Sequence, residues 1–132
     1  MDTQTVMKTA LLIEDSDDTA QILMYILARD GFIVSRAKSF ASAKEELDKV
    51  KYGVIISDLN IGNDNGFEIA IYIRRKDNEN KDTNIIAVTG SGLSEDKRDA
   101  KRIGFSSYLV KPIEPEEFVR VVNLFCKTEM DV

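Results

Sequence analysis

Histidine is absent from all 132 residues of the chain. That excludes a Ser-His-Asp or Cys-His nucleophile system and leaves few ways to build a zinc site. Cysteine is scarce as well. Cys126 is the single example, so no internal disulfide forms and a reducing cytoplasm is the expected setting. Apolar runs end after a few residues, far short of the ~20 that span a bilayer. The start, Met1-Asp2-Thr3-Gln4-Thr5, lacks the basic and apolar regions of a secretory signal. No membrane association is expected. Nor is direct nucleic-acid binding, because the formal net charge of −5 repels a polyanion.

What is present suits one compact domain over residues 1–132, with a core from about residue 8 to residue 126. An apolar fraction of 43% beside a charged fraction of 31% is enough to bury a real core. Five short apolar segments read as strands: Lys8–Glu14, Phe32–Ala37, Val54–Asp58, Asn84–Thr89 and Ser107–Val110. The first, third and fourth are nearly continuous at their centres, as in a parallel sheet covered on both faces. Helix-period stretches lie between and after them. Asp17–Arg29 places Ile22, Leu23, Ile26 and Leu27 on an inner face, and Ser39 caps a helix carrying Phe40, Ala43, Leu47 and Val50. Gly66–Arg75 carries Phe67, Ile69, Ala70 and Ile73, and Ser94–Ile103 is highly charged and stops at Gly104. The last helix has Pro115, Glu116 and Glu117 in its first turn and Phe118, Val121, Val122 and Phe125 inside. Lys76–Asn84 reads as a surface loop, and residues 1–6 and 127–132 as frayed tails. Five βα units with right-handed crossovers make a doubly wound α/β sheet.

Ligands of such a sheet gather at the carboxyl ends of its strands. The first strand ends in Glu14-Asp15, the third in Asp58, the fourth in Thr89 and the fifth in Lys111. Three carboxylates, a hydroxyl and an ammonium therefore converge on one edge. Carboxylates packed together repel and call for a cation, and hard oxygen ligands suit Mg²⁺. Aspartate is a competent nucleophile toward phosphorus, and Lys111 and Thr89 suit phosphoryl oxygens. Gly90 leaves room for the group to enter.

The motifs LLIEDS (Leu11–Ser16), SDLNIGNDNG (Ser57–Gly66), AVTGSG (Ala87–Gly92) and YLVKPI (Tyr108–Ile113) occur in order at those strand ends. With them, Lys8 to Phe125 resembles the receiver domain of bacterial two-component response regulators. The resemblance implies a flavodoxin-like central parallel sheet of five strands in the order 2-1-3-4-5. It implies that Asp58 is the phosphoacceptor and, with Glu14, Asp15 and the backbone carbonyl of Asn60, a Mg²⁺ ligand. Glu14 would act mainly through water. Thr89 and Lys111 would contact the phosphoryl group, a cis Lys111–Pro112 peptide would aim the ammonium, and Thr89 with Tyr108 would form the switch. The implied partners are a histidine kinase or histidine phosphotransfer protein, which supplies the missing histidine, and a downstream protein target. The chain would be a signalling phosphoacceptor with intrinsic self-dephosphorylation rather than an enzyme. Gly62 stands where the family often has Pro, and Asn65 where it often has Asp, so a looser loop is expected. Asn60 and Ser91 stand where the family tunes the lifetime of the phosphoryl group.

Plainer readings stand beside these. Alone, Asp58 suits a turn, and Glu14-Asp15 suit the cap of the first helix as well as a metal. Met24 and Tyr25 fit partial core packing and an apolar docking surface equally. Monomer and weak dimer both accommodate the charged fourth helix. A D-x-D phosphohydrolase needs a second carboxylate where Asn60 stands, and a flavin-binding loop is at odds with the anionic EDSDD run. The absence of an output segment fits a stand-alone regulator, a relay intermediate or a receiver excised from a hybrid kinase. The start at Met1 points toward the first.

Overall fold

The computed structural model describes residues 7–62 and 64–128; of the expected tails at 1–6 and 127–132, residues 1–6 and 129–132 lie outside them. Five strands, β1 (Lys8–Ile13), β2 (Phe32–Ala37), β3 (Val54–Asp58), β4 (Ile85–Thr89) and β5 (Ser107–Val110), alternate with five helices. These are α1 (Asp17–Arg29), α2 (Phe40–Lys49), α3 (Phe67–Ile73), α4 (Ser94–Ile103) and α5 (Pro115–Phe125). The strands form one parallel sheet in the order β2-β1-β3-β4-β5, as expected. A two-residue antiparallel hairpin, Asn60–Ile61 with Asp64–Asn65, follows β3. Nothing in the sequence pattern announced it.

Side-chain alternation along the strands sorts the core into two layers. Leu11, Ile13, Ile55, Ile85 and Ala87 face α2, α3 and α4, where they meet Ala43, Leu47, Ile69, Ile73 and Ala100. Ala10, Leu12, Val54, Ile56, Ile86 and Val88 face α1 and α5, meeting Ala20, Leu23, Leu27, Phe118 and Val122. β3 and β4 are buried at every position, which is why their sequences run apolar without alternation.

Helix starts follow their caps. Ser16, rather than Glu14 or Asp15, caps α1 by accepting from the Thr19 N–H at 3.3 Å. Ser39 and Ser42 form a reciprocal capping box on α2. Glu114 receives the N–H groups of Glu116 and Glu117 ahead of α5. The inner faces differ from expectation at two positions. Ile22 is 61% exposed and Val50 is 42% exposed. The buried stripe of α1 runs through Ala20, Leu23 and Leu27 and leaves Ile22 outside it, whereas Val50 lies past the end of α2 as its extended C-cap.

The segment expected as a plain surface loop is partly internal. Asn80 is fully buried, accepts from the Tyr52 N–H and donates to the carbonyls of Leu47 and Val50. Thr83 donates to the Asn80 side chain at 3.1 Å. Lys127, expected in the frayed tail, is tied down: its N–H donates to Gly53 at 2.9 Å and its ammonium to the Asp82 carbonyl. Among the described residues, no helix is long and apolar enough to cross a membrane.

Candidate functional site

The parallel register brings the carboxyl ends of β1, β3, β4 and β5 to one edge. Asp58 is the last residue of β3 and is 7% exposed. Its Oδ1 accepts from the Asn60 N–H at 2.9 Å, and its Oδ2 receives the Lys111 ammonium at 2.9 Å. The same ammonium lies 3.4 Å from Glu14 Oε1. Lys111 thus spans the gap between the β1 and β3 ends, reaching in from the end of β5. The Lys111–Pro112 peptide is cis, as the resemblance implied.

Glu14 is 2% exposed. Burial pushes its carboxyl above the usual range, with the neighbouring Asp58 charge adding to the rise. The Ser16 N–H on Oε2, at 3.1 Å, and Lys111 oppose that shift without cancelling it. For Lys111, burial favours the neutral amine. Its hydrogen bond to Asp58 and the charges of Asp58 and Glu14 outweigh this and hold its pKa above the ordinary value. The site is short of positive charge: two buried carboxylates share one ammonium.

Asp15 is exposed, and its Oδ2 accepts from the Gly62 N–H at 2.9 Å, joining the β1–α1 turn to the loop after Asp58. Gly62 has φ +57°, a backbone that proline cannot adopt, and its N–H is the donor that a proline there would lack. Gly66 closes the same loop against β3: a Cβ there would lie 2.3 Å from the Leu59 Cα, so any side chain would displace backbone. Among the described residues, no three acidic, cysteine or histidine side chains are gathered tightly enough to grip a metal ion. The acidic side chains at this edge, Glu14, Asp15 and Asp58, nonetheless offer only hard oxygens. Such a set suits Mg²⁺ or Ca²⁺ and not a soft metal.

Thr89 ends β4 one register position beyond the Val88 that pairs with Asp58, and it is 1% exposed. Its Oγ1 accepts from the Ser91 N–H at 3.3 Å. Tyr108, in β5 opposite Ala87, donates its hydroxyl to the Ser91 carbonyl at 2.8 Å. Ser91 donates its own hydroxyl to Asp96 in α4. The two expected switch residues therefore meet through Ser91, which also reaches α4. Sequence reasoning missed Asp96, the Gly62 N–H and Arg36. The Nε and Nη2 of Arg36 donate to the Glu14 carbonyl at 3.0 and 2.9 Å. Only an arginine near the end of an edge strand, beside the acidic turn, hinted at that contact.

The family model described as response regulator receiver domain matches residues 10–123. The chain is 32% identical over 116 residues to an uncharacterized 14.6 kDa protein in the sodA1 3' region of Leptolyngbya boryana, covering 88% of each. It is 30% identical over 120 residues to the transcriptional regulatory protein SrrA of Staphylococcus aureus, covering 90% of this chain and 48% of SrrA. The chain thus spans about half the length of that regulator. Among solved structures, the chemotaxis response regulator CheY4 of Vibrio cholerae matches with a TM-score of 0.83 at 29% identity, covering 90% of this chain and 98% of that one. With strand order, element order and a match over residues 10–123 in agreement, the chain belongs to the response regulator receiver domain family, the signalling module of two-component systems.

Proposed function

We propose that Asp58 accepts a phosphoryl group from a phosphohistidine on a histidine kinase or histidine phosphotransfer protein, in a Mg²⁺-dependent reaction. The observation that carries this reading is the Lys111 ammonium, 2.9 Å from Asp58 Oδ2 and 3.4 Å from Glu14 at a buried, anion-rich sheet edge. A carboxylate oxygen of Asp58 attacks phosphorus, the P–N bond to the donor imidazole breaks, and the imidazole leaves and takes up a proton. Asp15, Asp58, the Asn60 carbonyl and, mainly through water, Glu14 would hold Mg²⁺, which would supply charge neutralisation to the phosphoryl oxygens. Lys111 neutralises Asp58 before transfer and a phosphoryl oxygen after it. Thr89 offers its hydroxyl to another oxygen.

The Thr89 oxygen accepts the Ser91 N–H and keeps its own proton to donate, so a shift of Thr89 toward the phosphoryl group pulls on Ser91. Ser91 also holds Tyr108 and Asp96, and α4 responds. The signal leaves by contact with a downstream protein or by onward phosphotransfer. Hydrolysis of the acyl phosphate resets the domain. The setting for this chemistry is the cytoplasm. The whole chain, residues 1–132, works as one receiver unit.

The test is intact-protein mass after incubation with acetyl phosphate, with and without Mg²⁺. A gain of one phosphoryl group, lost in Asp58→Asn and lost without Mg²⁺, is the expected outcome. An unchanged gain in Asp58→Asn would place the acceptor elsewhere.

A further inference from the structure

The guanidinium of Arg36 binds the peptide that joins the two acids of the β1–α1 turn. Arg36 is the penultimate residue of β2, in register with Leu12, and its side chain is only 16% exposed. Nε and Nη2 converge on the Glu14 carbonyl at 3.0 and 2.9 Å, and Nη1 donates to Asp17 Oδ1 at 2.7 Å. The Lys38 ammonium meets the same Asp17 oxygen at 3.3 Å. Glu14 also donates its own N–H to the Ala37 carbonyl at 3.0 Å. Both peptides flanking Glu14 are therefore tied to the end of β2, one through main chain and one through a planar side-chain fork.

That fork matters because of what hangs from the peptide it holds. On one side Glu14 turns its carboxylate to Lys111, and on the other Asp15 turns its carboxylate to the Gly62 N–H. Rotating the Glu14–Asp15 peptide would move both acids together. Two N–H donors from one rigid plane oppose such a rotation, and an ammonium, whose three donors rotate freely on a flexible stem, does not. Through Asp17 the same guanidinium also fixes the first turn of α1 against β2.

We propose that Arg36 is a positioning residue for the divalent-cation site. Without touching the cation or the phosphoryl group, it holds the Glu14–Asp15 peptide in the orientation that keeps both acids at the Asp58 edge. This rests on the proposed function, which makes Glu14 and Asp15 cation ligands.

Charge and geometry make opposite forecasts here. If Arg36 acted by its charge alone, Arg36→Lys would be silent. Arg36→Met would then bind Mg²⁺ more tightly, because Asp17 would lose its closest cation. If Arg36 acts by its fork, Arg36→Lys weakens binding although the charge is kept. The experiment is calorimetric titration of wild type, Arg36→Lys, Arg36→Met and Asp15→Asn with Mg²⁺, with melting curves in EDTA as the check on folding. The expected result is about a tenfold loss of Mg²⁺ affinity in Arg36→Lys, the scale of residues that orient metal ligands. A smaller loss is expected in Arg36→Met, and wild-type phosphorylation by acetyl phosphate in Arg36→Lys once Mg²⁺ saturates. Arg36→Lys binding within twofold of wild type, or Arg36→Met binding more tightly than wild type, overturns the assignment. A wild type that takes up no Mg²⁺, or an Asp15→Asn that binds as wild type does, removes the cation site itself and with it the proposed function. Wild-type binding that Asp15→Asn abolishes and Arg36→Lys leaves unchanged removes only the role of Arg36.

Discussion

Two carboxylates, Glu14 and Asp58, share the ammonium of Lys111, and the consequences at the residue scale can be signed. The Glu14 carboxyl has a raised pKa in the folded chain, chiefly through burial. Folding therefore favours its protonated form. That contribution is complete below the ordinary value of 4.5 and is lost as pH rises through the folded value, so at neutral pH the ionised side chain opposes folding. Glu14→Gln keeps an acceptor for the Ser16 N–H and removes the buried charge. In EDTA at pH 7 it is expected to stabilise the domain, because Lys111 keeps Asp58 as its partner while one of two mutually repelling buried carboxylates loses its charge. Melting curves should show the gain fading toward pH 4. Lys111 behaves in the opposite sense. Its raised folded pKa stabilises below the ordinary value of 10.5, and the stabilisation is lost only as the solution becomes strongly alkaline. Lys111→Met leaves both carboxylates without their cation and is expected to cost roughly 1–3 kcal/mol at pH 7. Urea titrations should show that cost shrinking as the carboxylates protonate.

At the scale of elements, strands were the most legible part of the sequence. The runs at Phe32–Ala37, Val54–Asp58 and Ser107–Val110 match the observed bounds, because each is a short, β-branched or aromatic run that begins just after a glycine or serine. The Ser39 cap and the Gly104 stop were legible for the same reason: both are local chemistry. The loop at 76–84 was not. Its polar residues suggested solvent, yet Asn80 carries an internal network joining the end of α2 to the start of β3. Polar composition says nothing about whether partners wait inside. Asn80→Ala would leave the Tyr52 N–H and the Leu47 and Val50 carbonyls without their partner. It is expected to cost about 3 kcal/mol, at 1–3 kcal/mol for each buried group left unsatisfied. Chemical denaturation measures this directly. A cost under 1 kcal/mol would mean that water replaces the side chain.

Across the whole molecule, mechanical attachment is uneven. The two core layers clamp β1, β3 and β4 from both sides, whereas α4 buries only Ala100 and starts without a side-chain cap. Its N-terminal turn is held by Asp96 to Ser91, and its end by Arg74, whose Nε and Nη2 donate to the Gly104 carbonyl at 3.2 and 2.8 Å. Native-state hydrogen exchange should therefore show α4 opening well before β1 and β3, since few buried contacts mean a low local unfolding cost. Equal protection of α4 and the central strands would contradict that. The candidate site was legible at this scale too, because strand ends in a parallel sheet must share an edge. Glu14, Asp58 and Lys111 did meet there. The second-rank contacts were not legible: Arg36 on the Glu14 carbonyl and the Gly62 N–H on Asp15 depend on backbone positions that no spacing encodes.

The account stands on Asp58 as the acceptor, and an acyl phosphate can be trapped where it forms. Reduction with borohydride converts an aspartyl phosphate to homoserine, which peptide mass spectrometry locates. After treatment with acetyl phosphate and Mg²⁺, homoserine at position 58 alone is the predicted result, with none in Lys111→Met at the same exposure time. Homoserine at position 15, or a phosphoryl group that survives reduction on a serine or threonine, would contradict it.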